Sequence, residues 1–251
     1  MAPTTLDKIR ATALPALTKT AQYSAPFITT FLLIHLSSPA IANLGGSSLS
    51  SSTMLLGREY YQTALSEPFL VLGPIAVHAF SGILKRLLSP PGRPPRRFTH
   101  LLSLTGYAAF LFFLPVHYLT HRAYPTINTL AIDNVGPAEL DYEFVKTGLR
   151  SWPVRSWFLY GGLVLSVTLH LVDGMTIIWN TWLKDSFSIF SKRLQTWRRE
   201  TRPRRMLLAL GCIALPTMTG LYAIAKEPMM TFSSMAQRYH AVFLHSLIYR
   251  L

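Results

Sequence analysis

The chain has 251 residues and a formal net charge of +13, with 50% hydrophobic and only 14% charged residues. This composition argues against a soluble domain and is typical of a membrane protein. Because the Lys and Arg residues lie between long apolar runs, we expect the charge to face membrane lipids and not nucleic acid. The single cysteine, Cys212, excludes a disulfide framework.

The N-terminal segment, residues 1–23, carries three basic residues and one acid. It lacks the apolar block and the small-residue cleavage site of a secretory signal, which predicts a retained cytosolic segment. Its weakly basic composition, rich in Ala, Thr and Leu, also leaves an amphipathic targeting helix open.

Five apolar runs follow, each long enough to cross a bilayer, since a helical span needs about 20 residues. The predicted spans are about 24–44, 67–88, 100–120, 157–183 and 206–226. We therefore expect a transmembrane domain over 24–226 and an all-α fold, a polytopic membrane protein with about five transmembrane helices.

Three segments outside the spans have a composition of their own. Segment 47–53 is rich in Ser, which predicts a flexible polar loop, and segment 89–97 is a Pro-rich basic connector. The C-terminal tail, 227–251, mixes apolar and basic residues, and we predict an interfacial amphipathic helix there.

The distribution of Lys and Arg predicts the orientation of the spans. The N-terminal segment and the loops 85–100 and 183–205 hold 16 Lys and Arg, whereas the loops 45–67 and 121–156 and the C-terminal residues from Lys226 onward hold 8. We therefore expect the N-terminus on the cytosolic side and the C-terminus across the membrane. The basic loops are expected to bind anionic membrane lipids.

Four of the eight histidines fall inside the first four runs, one in each. Ionisable side chains within a membrane are rare and usually face the bundle interior. His78 and His170 each precede a glycine by four residues, and His35 and His117 each precede a small hydroxyl residue by three. The chain therefore divides into two helical hairpins in a parallel repeat, which predicts that His35 faces His117 and that His78 faces His170.

Small residues beside these histidines leave room for a macrocycle, because Gly162, Ser166 and Gly174 share a helix face with His170. Neutral imidazole is a common axial ligand of haem iron, so we predict haem b with His78 and His170 as its iron ligands. His35 and His117 then line the pocket or hold a second haem, although their estimated depths agree less well. Hydrogen bonds between neutral imidazoles of neighbouring helices are the alternative.

A carboxylate, Asp173, lies next to the glycine that follows His170. Three roles are open to it: it holds an imidazole tautomer, binds a proton, or bonds a neighbouring helix. The sequence has no hydrolytic or phosphoryl-transfer motif, and we expect no enzyme activity beyond electron transfer.

The stretch that begins at His78, HAFSGILKRL, resembles a stretch of the cytochrome b subunits of succinate dehydrogenase in which the first histidine ligates haem b. The stretch that begins at His170, HLVDGMTIIWN, resembles it as well. Five helices with four internal histidines are also similar to the dihaem cytochrome b subunit of fumarate reductases. The resemblance implies a cytochrome-b-like bundle of four helices and a haem b carrier or membrane anchor in electron transfer.

A second resemblance covers roughly residues 24–251. The stretches 58–62, 67–68, 78–82, 121–122, 141–145 and 156–157 resemble the fungal Mcp-type mitochondrial adaptors, whose membrane domain is itself similar to those cytochrome b subunits. The resemblance implies a multi-pass protein of the mitochondrial outer membrane. With the orientation that the Lys and Arg residues predict, its C-terminus would lie in the intermembrane space. It further implies that the protein supports lipid homeostasis and recruits a bridge-like lipid-transfer protein to a membrane contact site. A transporter is a third functional hypothesis, based on the parallel repeat.

Overall fold

The computed structural model describes residues 4–90, 92, 95–183 and 201–251. Within these ranges the chain is helical and contains no strand, which confirms the predicted all-α fold. The helices are, in chain order, α1 Thr5–Tyr61, α2 Glu67–Leu88, α3 Leu101–Thr126, α4 Tyr142–Ser151, α5 Pro153–Trp182, α6 Arg202–Lys226, α7 Ser233–His245 and α8 Leu247–Arg250. Five of them, α1, α2, α3, α5 and α6, are long and apolar enough to cross a membrane.

α1 begins at Thr5, well before the first predicted span. Its start is fixed by a capping box, in which the Thr4 side chain accepts from the Asp7 amide and the Asp7 carboxylate accepts from the Thr4 amide. Near this start, Arg10 Nε donates to the Leu88 carbonyl at the end of α2. The N-terminal segment therefore continues the first span as one helix. The end of the bundle where the start of α1 meets the end of α2 is called the basic end below.

The backbone of α1 leaves helical geometry at Gly45 and Gly46, where Gly46 has a φ of 59°. The chain turns there, and residues 47–61 form a second helical arm, the return arm. Segment 47–53 is therefore helical, and the prediction of a flexible loop was wrong. The reason is that its serines have partners across the turn: Ser38 and Ser50 each donate a hydroxyl to the other's carbonyl at 2.8 Å.

The five long helices form two pairs joined by the last one. α1 packs against α2, α3 packs against α5, and α6 packs against both α1 and α5. Between the α1/α2 pair and the α3/α5 pair, the described residues make few close backbone contacts. The space between the pairs is therefore bridged by side chains, which is where the predicted histidines lie.

Residues 127–152 and 227–251 pack together over the end of the bundle opposite the basic end, and we call them the cap. Its core consists of aromatic and aliphatic side chains from both segments and from α5: Ile132, Val135, Leu140, Phe144, Leu159, Tyr239, Val242, Phe243 and Tyr249. The predicted helix in the tail is present as α7. Its apolar face is covered by protein, with Val242 and Phe243 fully buried. The helix was therefore predicted correctly, but its apolar face packs on the cap and not on the membrane interface.

A buried ion cluster joins the cap to the turn of α1. The Lys146 ammonium, 1% exposed, lies 2.6 Å from the Glu143 carboxylate and 2.9 Å from that of Glu227. The Ser47 amide donates to the same Glu227 carboxylate at 2.8 Å. The loops 45–67 and 121–156 and the tail therefore meet at one end, as five alternating spans require. Most of the basic loop 183–205, and Pro91, Arg93 and Pro94 of the connector, lie outside the described residues.

Candidate functional site

The first histidine pair connects α2 to α5. The ring centres of His78 and His170 lie 5.9 Å apart with an interplanar angle of 85°. His78 Nδ1 is 2.9 Å from the Ala21 carbonyl of α1, and His170 Nδ1 is 3.0 Å from the Leu102 carbonyl of α3. Because a carbonyl can only accept, each Nδ1 carries the hydrogen and each Nε2 keeps a free lone pair. This is the tautomer that metal-ligating histidines adopt, held by an outer partner.

Three glycines shape the space around this pair. A Cβ on Gly106 would lie 2.8 Å from His170 Cε1, so only glycine lets α3 approach that imidazole. Among the described residues, nothing lies within 4 Å of a Cβ added to Gly82 or Gly174, which follow His78 and His170 by four residues on the same helix face. Gly82 is exposed, so the space beside it is open to the surface of the bundle.

The second pair connects α1 to α3. The ring centres of His35 and His117 lie 5.8 Å apart at 83°, so the pairing that the repeat predicts is confirmed for both pairs. The estimated difference in depth came from counting His35 from residue 24. Counted from Ala21 and Leu102, the partners of the first pair, His35 and His117 are fourteen and fifteen residues along their helices. His35 stacks on Phe31, and its Nδ1 is 3.4 Å from the Tyr61 hydroxyl of the return arm.

His121 is a site residue that sequence reasoning missed. Its ring stacks on that of His117 with centres 4.3 Å apart and an interplanar angle of 19°. Its Nδ1 is 3.1 Å from the His117 carbonyl, and its Nε2 is 3.0 Å from the Tyr160 hydroxyl of α5. The signal was present as a His-x-x-x-His spacing, which places both rings on one helix face. It was missed because the predicted span ended at residue 120.

The two pairs lie at different levels of the bundle. His35 is fourteen residues after Ala21 on α1, and His117 is fifteen residues after Leu102 on α3. At 1.5 Å per residue, the levels are about 20 Å apart along the helices. The first pair lies towards the basic end and the second directly beneath the cap.

Asp173 does not contact either imidazole pair through a hydrogen bond. Its carboxylate accepts two hydrogen bonds from Arg202 of α6, from Nη2 at 2.6 Å and from Nε at 3.1 Å. Of the three roles left open, the structure places Asp173 in the third, as the bond that joins α5 to a neighbouring helix.

The donor set of each pair fits one class of metal group. Metal–imidazole bonds are about 2 Å long, so an ion between two imidazole nitrogens separates the ring centres by roughly 6 Å. In the described part of the chain, no three His, Cys, Asp or Glu side chains come together as a metal site. Two imidazoles alone leave a transition metal undercoordinated, whereas haem iron has four ligands from its macrocycle and needs only two axial ones. The donors of each pair therefore match the axial donors of haem b in type and number, while the void beside His117 and His121 is only about 10 Å³.

The fold and the site together define a class: a polytopic helical membrane protein with two opposed histidine pairs inside its bundle. Comparisons of the chain with protein-family models, with curated proteins and with solved structures found no match.

Proposed function

We propose that this chain is a b-type haem protein of the membrane, with His78 and His170 as one pair of axial ligands and His35 and His117 as a second. The observation that supports this most directly is the proximity of His78 and His170, whose ring centres lie 5.9 Å apart. Each has its Nδ1 bound to a carbonyl of a different helix, and its Nε2 has no hydrogen-bond partner among the described residues. Such outer partners fix the ring orientation and raise the basicity of the ligating nitrogen.

A haem bound there would supply one-electron redox chemistry. The chain's own contribution is to fix the imidazoles, to keep the space between the helix pairs, and to exclude water with the cap. Two sites at levels about 20 Å apart along the helices favour a carrier that moves single electrons between the two ends of the bundle. This is the electron-transfer hypothesis, in which the protein acts as a cytochrome or as a membrane anchor.

Absorption spectroscopy of the purified chain tests the proposal. The full-length protein is expressed with ample haem supply, purified in detergent, and assayed for haem per chain and for reduced-minus-oxidised spectra. We expect a sharp reduced α-band of low-spin, bis-imidazole haem and a stoichiometry approaching two. A wild-type protein free of haem would contradict the proposal and leave the four histidines as packing residues.

A second function is favoured by the resemblance to mitochondrial outer-membrane adaptors. Two of the stretches that carry the resemblance are joined in the structure, since Arg122 Nε and Nη2 each donate to the Glu67 carboxylate at 2.7 Å. A third is joined to the cap by Arg58, which donates to the Pro137 carbonyl. These contacts support one structural unit across those stretches. We propose that the bundle acts in lipid homeostasis at the outer membrane, recruiting a bridge-like lipid-transfer protein, with anionic lipids bound at its basic end.

Cell fractionation and protease protection test this second function. A C-terminally tagged chain should co-fractionate with outer-membrane markers, and its tag should resist protease on intact mitochondria. Deleting the chain should reduce the amount of bridge-like lipid-transfer protein on mitochondria. Cleavage of the tag without permeabilisation would contradict the proposed orientation, and unchanged recruitment would contradict the adaptor role.

A further inference from the structure

We propose that the groove between the two arms of α1 binds one acyl chain of a membrane phospholipid. The first arm is the part of α1 before the turn at Gly45 and Gly46, and the return arm follows that turn. The site needs neither a haem nor the adaptor role, and it lies away from the basic end, where anionic lipids are proposed to bind.

The two arms meet closely at a glycine of the return arm. A Cβ on Gly57 would lie 3.1 Å from Ile34 Cγ2, so the backbone of the return arm approaches the first arm there. Beside this contact the arms leave a groove of about 410 Å³, within the range of roughly 300–1,000 Å³ that small-molecule sites occupy. Both arms line it, the first with Leu33, Ile34 and Ser37 and the return arm with Thr53, Leu56, Gly57 and Tyr60.

The groove faces away from the cap. On the return arm, the Ser51 hydroxyl accepts from the Tyr142 amide at 3.3 Å, and Arg58 donates to a carbonyl of the cap. The lining residues lie on the other face of the same helix, where Leu56 and Tyr60 are 62% and 66% exposed. The described part of the cap therefore leaves the groove open.

The groove begins where the first span reaches the far side of the membrane. Arg10 bonds the Leu88 carbonyl at the basic end, and Leu33 follows Arg10 by twenty-three residues, about 35 Å along the helix. The hydrocarbon core of a bilayer is about 30 Å thick, so Leu33 lies near its far boundary. Its exposed side chain makes the groove continuous with the lipid-facing surface of the span. From Tyr60 to Thr53 the wall then extends about 10 Å further from the basic end.

The chemistry of the walls fits an aliphatic chain. Both wall hydroxyls other than that of Tyr60 are bonded within their own helices, Ser37 to the Ile34 carbonyl at 2.7 Å and Thr53 to the Leu49 carbonyl at 2.8 Å. None of the described residues that line the groove is charged. Apolar surface that extends past the hydrocarbon would meet water, and a chain from the adjoining bilayer removes that contact. Phospholipids supply the chains at this boundary, so the groove binds one of them whatever its headgroup.

Native mass spectrometry of the purified full-length chain tests the proposal. The chain is reconstituted with phosphatidylcholine or phosphatidylglycerol, extracted into detergent, and assayed for phospholipid retained per chain. We expect one lipid to be retained, equally for both headgroups and independently of salt, whereas lipid at the basic end should be anionic and salt-sensitive. Thr53→Phe places a ring in the groove and should lower the retained fraction about tenfold, since losing the contacts of a few methylene groups has that effect. Ser52→Phe is the matched control, because Ser52 is exposed beside Thr53 but does not line the groove.

Two further measurements keep the test independent of one variant. Ser37→Phe fills the groove from the first arm and should lower retention as Thr53→Phe does. Phosphatidylcholine with a diazirine in its acyl chain, retained through the same extraction, should crosslink to residues 33–37 and 53–60 on irradiation. A wild type that retains no phospholipid, or only free fatty acid, would overturn the proposal. So would unchanged retention in both groove variants, an equal fall in Ser52→Phe, or crosslinks confined to the basic end.

Discussion

The two histidine pairs have nearly the same ring separation, 5.9 and 5.8 Å, but they are held by different kinds of partner. At the first pair the partners are main-chain carbonyls of Ala21 and Leu102. At the second they are side chains, the Tyr61 hydroxyl for His35 and the His121 ring for His117. A carbonyl is present whatever residue carries it, whereas a side-chain partner is lost in one substitution. The first site should therefore tolerate changes around it better than the second.

The surroundings of the two pairs differ as well. The first lies between helices long and apolar enough to cross a membrane, and the second lies under the cap, which is fixed to the turn of α1 through Lys146 and Glu227. The stability of the second site is consequently linked to a buried ion cluster outside the membrane spans. Four substitutions test this comparison.

The largest effect is expected from His170→Ala, which under the proposed haem function removes one axial nitrogen of the first site. That haem should be lost or become high-spin, while the low-spin signal of the second site remains. Haem stoichiometry and the spin state of each signal measure this. Simultaneous loss of both signals would show that the two sites are not independent, and retention of both would exclude His170 as a ligand.

Loosening the cap should affect the second site first. Lys146→Met leaves the Glu143 and Glu227 carboxylates without their buried cation, and breaking a buried ion pair in this way costs about 3 to 5 kcal/mol. Since the Glu227 side chain is 30% exposed, we expect the lower end of that range. Thermal unfolding in detergent gives the cost, and haem titration shows which site weakens.

The matched control for this change is Glu139→Gln in the same cap. Glu139 pairs with Arg238 at 3.1 Å, but its side chain is 41% exposed, and such surface pairs contribute about 0 to 1 kcal/mol. A larger loss of stability for Glu139→Gln than for Lys146→Met would contradict the view that burial makes the Lys146 cluster important.

A smaller effect is expected from Gly106→Ala at the first site. The new Cβ would lie 2.8 Å from His170 Cε1, and overpacking of this kind costs about 1 to 3 kcal/mol. The Leu102 carbonyl holds the same ring at Nδ1, so the imidazole cannot move aside. The spectroscopic signal of the proposed haem at the first site should therefore shift. Gly211→Ala on α6, where an added Cβ meets nothing within 4 Å, should leave both sites unchanged. If the signal of the first site does not shift in Gly106→Ala, α3 and α5 move apart enough to accommodate the added Cβ.

The smallest effect is expected from Ser24→Ala. The Ser24 hydroxyl is a second partner of His78 Nδ1, at 3.2 Å, and the Ala21 carbonyl remains after its removal. We expect a loss of about 0.5 to 1 kcal/mol in stability and an unchanged haem signal. Thr29→Ala, which removes a hydroxyl bonded only within α1, is the comparison. Loss of the first haem in Ser24→Ala would contradict the idea that the main chain secures that site.

Hydropathy and local repeats were sufficient to predict five spans and the pairing of the four internal histidines. Both signals are local: a run of apolar residues fixes a span, and His-x-x-x-Gly fixes a helix face. The boundaries were less predictable, because the capping box at Thr4 and the fixed turn at Gly46 add helix where composition indicated loops.

What the sequence determined by itself is the class of fold and the four imidazoles that face one another, because these follow from periodicity within each helix. Tertiary structure alone decided the rest. The return arm is helical because its serines bond across the turn, and α7 packs on protein because Phe144 stacks on Phe243 with ring centres 4.5 Å apart, although the two lie about 100 residues apart in the chain. The His-x-x-x-His spacing places His121 on the helix face of His117, but its hydrogen bond to Tyr160 was decided by tertiary structure, because Tyr160 belongs to another helix.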